Sequence, residues 1–210
     1  MDLPDEVDAY ARADFAAVNQ RFVDRLIEVA AGRETARAAD LGTGPGDIPI
    51  RAAKARPGWA ISAVDASAPM LDVARAAIAA AGLAKNITLV LADAKDTKLP
   101  SASFDIVFSN SILHHVADPL AFWREVKRIA KPGAQILIRD LFRPESDVLA
   151  RKLVAENAGG ESLLLQEEFY RSLLAAYTPD EVRAQLAQSG LSGLVVERVS
   201  DRHMDISGTL

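Results

Sequence analysis

Asp40-Leu41-Gly42-Thr43-Gly44-Pro45-Gly46-Asp47 ends a short apolar run and opens a helix-like segment. Glycine, with no Cβ, lets a backbone turn tightly and come close to a ligand. A strand that feeds a Gly-rich turn and then a helix N-terminus makes a pocket for a nucleotide-type ligand. The spacing narrows the choice. The dinucleotide pattern G-x-G-x-x-G places its third glycine one position later, where Asp47 stands here. Gly-Lys-Ser/Thr is absent, which excludes a phosphate loop. The stretch points to an adenosyl ligand without a phosphate chain; the alternative is an ordinary Gly-rich strand-to-helix turn.

Working outward, strands and helices alternate. Phe15, Val18, Phe22, Leu26 and Val29 recur at helical spacing, so residues from about Asp8 to Ala31 read as an amphipathic helix that Gly32 can end. Ala38 to Leu41 is the first buried strand, and Asp47 to Arg56 a helix with Pro49 tolerated in its first turn. Ala60 to Asp65 is the second strand. Pro69 opens an Ala-rich helix that Gly82 closes. Ile87 to Ala92 and Phe104 to Ser109 are the third and fourth strands. Asp118-Pro119 caps a helix that runs to Ala130, with Trp123 on its inner face; Pro132-Gly133 breaks it. Ala134 to Asp140 is the fifth strand. This rhythm predicts a parallel sheet covered by helices on both faces.

After Asp140 the rhythm changes. Residues 141–177 hold helical material without a strand. Thr178-Pro179-Asp180-Glu181 is a capping box, and its helix stops at Gly190. Leu194 to Val199 and His203 to Ile206 read as two strands joined by a tight turn near Asp201-Arg202, which forces antiparallel pairing.

At 210 residues the chain fits one domain with a well-filled core. The net charge is −5 and no Lys/Arg cluster stands out, so nucleic acid and anionic membranes are not expected partners. There is no cysteine, which excludes disulfides, thiolate metal sites and cysteine nucleophiles and fits a cytoplasmic protein. The N-terminus lacks the basic start and apolar centre of a signal peptide, and no apolar run approaches membrane-spanning length.

Four segments, the opening one among them, sharpen the picture. Asp40 to Asp47, Ala63-Val64-Asp65-Ala66-Ser67, Leu91-Ala92-Asp93-Ala94, and Phe104 to Asn110 with Leu113-His114-His115-Val116 fall in order at strand ends. Together with the Lys131-Pro132-Gly133-Ala134 turn, the chain resembles a class I S-adenosylmethionine-dependent methyltransferase of the small-molecule type. The resemblance implies an α/β, doubly wound, seven-stranded and mostly parallel sheet of order 3-2-1-4-5-7-6 with strand 7 antiparallel. It divides one domain into an N-terminal helical cap (1–35), a cofactor-binding core (36–140), a helical insertion over the pocket (141–177), and a last helix with a hairpin (178–210).

The resemblance also implies roles. Asp65, with Ala66 beside it, would accept the ribose hydroxyls of S-adenosylmethionine. Asp93 would take the exocyclic amine of adenine and Ala94 would donate a backbone N–H to the ring. Met70 would lie along the adenine face or pack in the core. Gly42, Gly44 and Gly46 let the backbone approach the methionine half, whose ammonium would meet carbonyls near Gly42 and Asn110, with Asp40 holding the loop or reaching it through water. His114 and His115 would sit near the transferred methyl, where one could act as a base. Adjacent side chains point different ways, so at most one faces the substrate. The pair is too few ligands for a metal site. Tyr10, Arg143, Tyr170, Tyr177 and His203 are candidate contacts to a small-molecule acceptor, with solvated surface as the duller alternative.

The fourth motif narrows the acceptor. Asn110-Ser111-Ile112-Leu113 stands where family members that methylate base amines or glutamine amides carry Asn/Asp-Pro-Pro-aromatic. Methylation of arsenic, which relatives perform with several cysteines, is excluded. The expected reaction is methyl transfer to a metabolite, leaving S-adenosylhomocysteine. Two other readings share the pocket: an enzyme that remodels S-adenosylmethionine itself, and a non-catalytic regulatory domain that binds it.

Overall fold

The computed structural model describes residues 16–210. The expected start of the first helix near Asp8, and Tyr10 with it, lies outside the described residues. Along the chain run α1 (Ala16–Val29), β1 (Thr35–Leu41), α2 (Asp47–Ala55), β2 (Gly58–Asp65), α3 (Ala68–Ala80), β3 (Ile87–Leu91) and β4 (Phe104–Asn110). A 3-10 turn (Leu113–His115) follows, then α4 (Pro119–Ile129), β5 (Ala130–Leu141), α5 (Asp147–Ala158), α6 (Leu163–Ala175), α7 (Pro179–Gln188), β6 (Val195–Arg198) and β7 (His203–Thr209). The strands form one sheet of order β3-β2-β1-β4-β5-β7-β6. β7 is antiparallel to both β5 and β6, as the sequence predicts, and the neighbouring pairs from β3 to β5 are parallel.

Strand periodicity splits the core into two layers. Ile106, Phe108 and Leu137 face a layer that contains Phe22, Leu26, Ile48, Trp59 and Ile78 from the α1, α2 and α3 side. Val107, Ile136 and Ile138 face the other, built on Phe122, Trp123, Val126, Val182 and Leu186 of α4 and α7. Alternate residues of one strand thus enter opposite layers. Trp123 is fully buried, and its indole N–H donates to Gln185 Oε1 at 3.0 Å across the α4–α7 contact. A third, smaller cluster joins Leu141 to Ala150, Leu153, Val154, Leu173 and Ala176 of α5 and α6.

Local signals hold the helix starts. Thr178 and Glu181 form the reciprocal capping box of α7, and Asp118 caps α4 by accepting from Ala121 N at 3.0 Å. Several boundaries differ from the sequence reading: β2 begins at Gly58 rather than Ala60, β7 runs to Thr209 rather than Ile206, and the largest shifts at strand starts are in β5 and β1. β5 begins at Ala130, not Ala134, and so runs through Pro132-Gly133. Its ladder with β4 is interrupted there: Phe104 pairs with Ala130, and the next partners are Ile106 and Gln135. Pro132 lies in that gap, where a missing N–H costs no ladder bond. β1 begins at Thr35, because its first residues alternate exposed and buried rather than forming an apolar run. Among the described residues no helix is long and apolar enough to cross a membrane.

Candidate functional site

The chain passes from β1 to β2 and β3 on one side, then returns to set β4 on the other side of β1. Such a reversal opens a crevice at the carboxyl ends of the strands, where open α/β sheets take ligands. Asp40, the glycine bend, Asp65, Asp93, Asn110 and the His-His turn all lie at those ends or follow them directly.

The bend after β1 is fixed by backbone bonds. Gly42 N and Thr43 N both donate to Val64 O, at 2.8 and 2.9 Å. Gly42, Gly44 and Gly46 all have positive φ, at 79°, 54° and 86°. A Cβ on Gly42 would meet Ile112 Cγ2 at 2.1 Å, so the missing side chain is what admits Ile112. A Cβ on Gly44 would meet nothing within 4 Å, which leaves the bend open on that side. Asp47 does more than charge the start of α2. Its Oδ2 accepts from Asn19 Nδ2 at 2.9 Å and Arg51 Nε at 2.7 Å, which latches α1 onto the bend.

Asp40 is 1% exposed. Burial pushes its carboxyl up to about 7; Thr43 pulls the other way, and the like charge of Asp65 adds to the rise. Asp40 Oδ2 and Thr43 Oγ1 are buried without a hydrogen-bond partner. An unmatched buried polar group costs roughly 1–3 kcal/mol. A cationic ligand at the bend would remove that cost, so the arrangement fits an ammonium group.

Asp65, at the tip of β2, accepts Gly44 N on Oδ2 at 2.8 Å and Ser67 N on Oδ1 at 2.9 Å. Ser67 in turn caps α3 by accepting from Met70 N at 3.4 Å. Each carboxylate oxygen keeps a lone pair for a hydroxyl donor. Ala66 is exposed beside it, and Met70 is buried at 4% exposure. Asp93 follows β3 and is half-exposed; its carboxylate holds Lys95 Nζ at 2.9 and 2.7 Å, with Ala94 between them. Desolvation raises the Asp93 pKa, but the Lys95 bonds and charge outweigh it and hold the carboxyl below its usual range.

Asn110 ends β4 beside Arg139 of β5. The next residue, Ser111, takes a left-handed φ of 63°, and its N–H donates to Arg139 O at 2.8 Å. This strained residue turns the chain into the 3-10 turn of Leu113, His114 and His115. There Asp140, at the tip of β5 and 1% exposed, gathers three hydrogen bonds. Its Oδ1 faces His114 Nδ1 at 2.6 Å and Leu141 N at 2.7 Å, and its Oδ2 accepts Leu113 N at 2.5 Å. The His115 ring packs on His114 with centroids 4.0 Å apart. Loss of water first, and His114 second, lower the His115 pKa to about 4, so it stays neutral at pH 7 although it is the more exposed of the two.

The other expected acceptor contacts have local partners. Arg143 Nη2 binds Glu181 Oε1 at 2.5 Å. Tyr170 OH bonds Asp147 and accepts from Arg151 at 3.2 Å, joining α6 to α5. Tyr177 OH donates to Val116 O at 2.9 Å, which pins the end of the helical insertion to the residue after the His-His turn. His203 opens β7 opposite Leu141, with Nδ1 3.1 Å from Ser200 Oγ. Burial, then Arg202 and Arg139, lower its pKa to about 4 against Asp140 and Asp201. All three histidines of the chain therefore feel Asp140.

Sequence reasoning missed Asp140, Lys95 and Ile112. Asp140 carried a visible signal, since it is acidic at a strand end just as Asp65 is. Lys95 and Ile112 carried none, because only the fold sets them against Asp93 and Gly42.

Comparison with known proteins agrees with this geometry. A family model described as a methyltransferase domain matches residues 39–138. The chain is 28% identical over 181 residues to the 27-O-demethylrifamycin SV methyltransferase of Amycolatopsis mediterranei, covering 86% of this chain and 62% of that protein. It is 27% identical over 182 residues to the ubiquinone/menaquinone biosynthesis C-methyltransferase of Pseudomonas paraeruginosa, covering 84% and 69%. The chain therefore spans less than two thirds of the first relative's length. The solved structure of an S-adenosylmethionine-dependent methyltransferase from Aquifex aeolicus matches with a TM-score of 0.64 at 22% identity, over 99% of this chain and 94% of that one. A likeness of that degree carries the fold.

Proposed function

We propose that this chain is a class I S-adenosylmethionine-dependent methyltransferase that methylates a small molecule at an oxygen or a carbon acid. The family's cofactor is S-adenosylmethionine, which brings an electrophilic methyl group and leaves as S-adenosylhomocysteine. Asp65 would hold the ribose, Asp93 and Ala94 the adenine edge, and Met70 one side of the ring. The ammonium would meet the orphaned Asp40 Oδ2 and carbonyls near Gly42 and Asn110, with Gly44 keeping the bend open and Gly46 letting Ala74 of α3 pack close to it.

The observation that carries the proposal is the His114–Asp140 pair. Nδ1–H donating to Asp140 fixes the imidazole tautomer and leaves Nε2 to accept a proton. A hydroxyl or a carbon acid must lose a proton as it is methylated; a neutral amine already offers a lone pair. A base with a side chain only 4% exposed works away from bulk water. His115 keeps the charge-free role of a packing partner. One relative is named for a 27-O-demethyl substrate and the other as a C-methyltransferase, which supports the same pair of acceptor classes. The rest of the rate comes from placement, since holding nucleophile and methyl in line supplies roughly 7–11 kcal/mol in favourable systems. Tyr177 and His203, both tied to segments around Asp140, are the acceptor contacts this reading favours; Arg143 and Tyr170 would act at the rim. A chain without cysteine is consistent with a cytoplasmic setting.

Tritium transfer from methyl-labelled cofactor into phenolic and enolic metabolites, set beside matched amines, tests the proposal. Label should enter oxygen or carbon acceptors. His114→Ala and Asp140→Asn should each slow transfer by about 10²–10⁴-fold, with affinity for S-adenosylhomocysteine kept. Transfer at the wild-type rate in both variants, or label only in amines, would overturn it. Label lost from the cofactor without any acceptor would favour an enzyme that remodels S-adenosylmethionine.

A further inference from the structure

The segment between β3 and β4, residues 92–103, forms no helix or strand, yet its first residues are the proposed adenine contacts. A carboxylate from another element anchors its middle. Thr97 is buried between the exposed Asp96 and Lys98. Its N–H donates to Glu125 Oε1 at 2.8 Å, and its hydroxyl donates to the same oxygen at 2.5 Å. Glu125 lies on α4 and is 5% exposed. Arg128, one turn on, donates to both Glu125 oxygens at 2.7 Å, from Nη2 to Oε1 and from Nε to Oε2. The same guanidinium donates to Leu99 O at 2.8 Å and to Ser101 Oγ at 2.9 Å. Leu99 N donates back to Thr97 Oγ1 at 3.2 Å.

We propose that Glu125 is a positioning residue for the adenine ring and acts through Thr97 on Asp93 and Ala94. The inference rests on the reading above that those two residues meet the adenine edge. The path from anchor to edge is short. Asp96, next to Thr97, donates its N–H to Asp93 O at 2.8 Å and forms a bridge with that residue. Ala92, on the other side, donates its N–H to Asp65 O at 3.0 Å. Asp93 and Ala94 thus lie between two fixed points, one on the tip of β2 and one on Glu125. Lys98 and Ala102 take left-handed φ values of 60° and 46°. Residues with a Cβ adopt that conformation at a cost, so local preference does not hold the loop in this shape. A buried ion pair is a weak source of stability beside apolar packing. Two charge-assisted bonds to one threonine supply direction instead, and direction is what the reading of a donor beside an acceptor requires.

Calorimetry with S-adenosylhomocysteine and its 6-oxo analogue, S-inosylhomocysteine, tests this without knowledge of the acceptor. Adenine offers a 6-amino donor and a ring-nitrogen acceptor, which match the Asp93 carboxylate and the Ala94 N–H; the 6-oxo base reverses both. Wild type should therefore prefer the adenosyl compound. Glu125→Met leaves Thr97 without its acceptor, while Arg128, 38% exposed, can turn to water. The adenosyl compound should then bind about 2- to 10-fold more weakly, with the inosyl affinity little changed, so the preference shrinks. Glu125→Gln keeps an acceptor for Thr97 and should restore the preference. Thr97→Val removes the hydroxyl donor with Glu125 and Arg128 still paired, and gives the same reading where Glu125→Met does not fold. Equal weakening of both compounds, or an unchanged preference in Glu125→Met and Thr97→Val, reduces Glu125 to a structural anchor and overturns the proposal. A wild type that binds both compounds alike overturns the placement of adenine, and this inference with it.

Discussion

The crevice at the tips of β1, β2 and β4 and the helical insertion of α5 and α6 are built by opposite means. In the crevice the backbone itself is packed: Gly42 admits Ile112, Gly42 and Thr43 share one carbonyl, and Asp40 is sealed among them. Ser109 Oγ closes it further by donating to Leu41 O at 2.6 Å. The insertion rests on a cluster of only six buried residues, one of them Leu141 from β5, and on surface pairs such as Arg143–Glu181 and Arg151–Asp147. Val148 and Leu163 there are 78% and 83% exposed. Exposed ion pairs contribute about 0–1 kcal/mol each, whereas a close-packed interior resists changes of a single methylene. A site that must always hold the same cofactor gains from the first construction. On the proposed function the insertion would meet the variable part of the reaction, which tolerates the second.

The sharpest way to break this contrast is at Gly42. Gly42→Ala adds a Cβ 2.1 Å from Ile112 Cγ2 at a φ of +79°, and should cost about 2–5 kcal/mol from overpacking and left-handed strain together. Gly44→Ala carries only the strain, about 1–2 kcal/mol, since its Cβ meets nothing within 4 Å. Denaturant unfolding of both variants checks the difference; equal losses would mean that the crevice is not packed as described.

Asp40 comes next. Its folded pKa of about 7 lies above the ordinary 3.8, so the folded protein holds a proton that the unfolded chain releases between those values. Stability of the ligand-free protein should fall as pH rises from about 4 to 7 and level off above. Asp40→Asn should remove that slope and stabilise the ligand-free protein at pH 8 by an amount on the order of a few kcal/mol. Cofactor binding should run the other way. A cationic ammonium favours ionised Asp40, so S-adenosylhomocysteine affinity should strengthen as pH climbs through about 7 in wild type and stay flat in the variant. Thermal melts and calorimetry from pH 5 to 9 read both, and an affinity independent of pH in wild type would remove Asp40 from the ammonium site.

The smallest effect belongs to the insertion. Arg143→Gln breaks a pair whose side chains are 39% and 44% exposed and should change stability by less than about 1 kcal/mol. S-adenosylhomocysteine affinity should not move, while KM for an acceptor should. A loss of cofactor affinity would join the two halves that the contrast separates.

What was legible followed from local rules. The glycine bend, the acidic strand ends at Asp65 and Asp93, the capping box at Thr178 and the antiparallel hairpin are each encoded within a few residues, because turn conformations and caps depend on near neighbours. β5 was harder. Pro132-Gly133 reads as a break in one dimension, yet the partner strand skips those residues and the strand continues across them.

The sequence by itself determined the strand–helix rhythm, the sheet order implied by its motifs, and the Gly-rich bend after β1 that the proposed function uses for the cofactor, since periodicity and turn chemistry act at short range. The tertiary structure alone decided which histidine is bound to a carboxylate, that Lys95 covers Asp93, and that Asp40 Oδ2 is buried without a partner. Those outcomes depend on side chains from separate strands meeting at one end of the sheet. Burial and pairing across 26 residues, as between His114 and Asp140, exist only once the chain has folded.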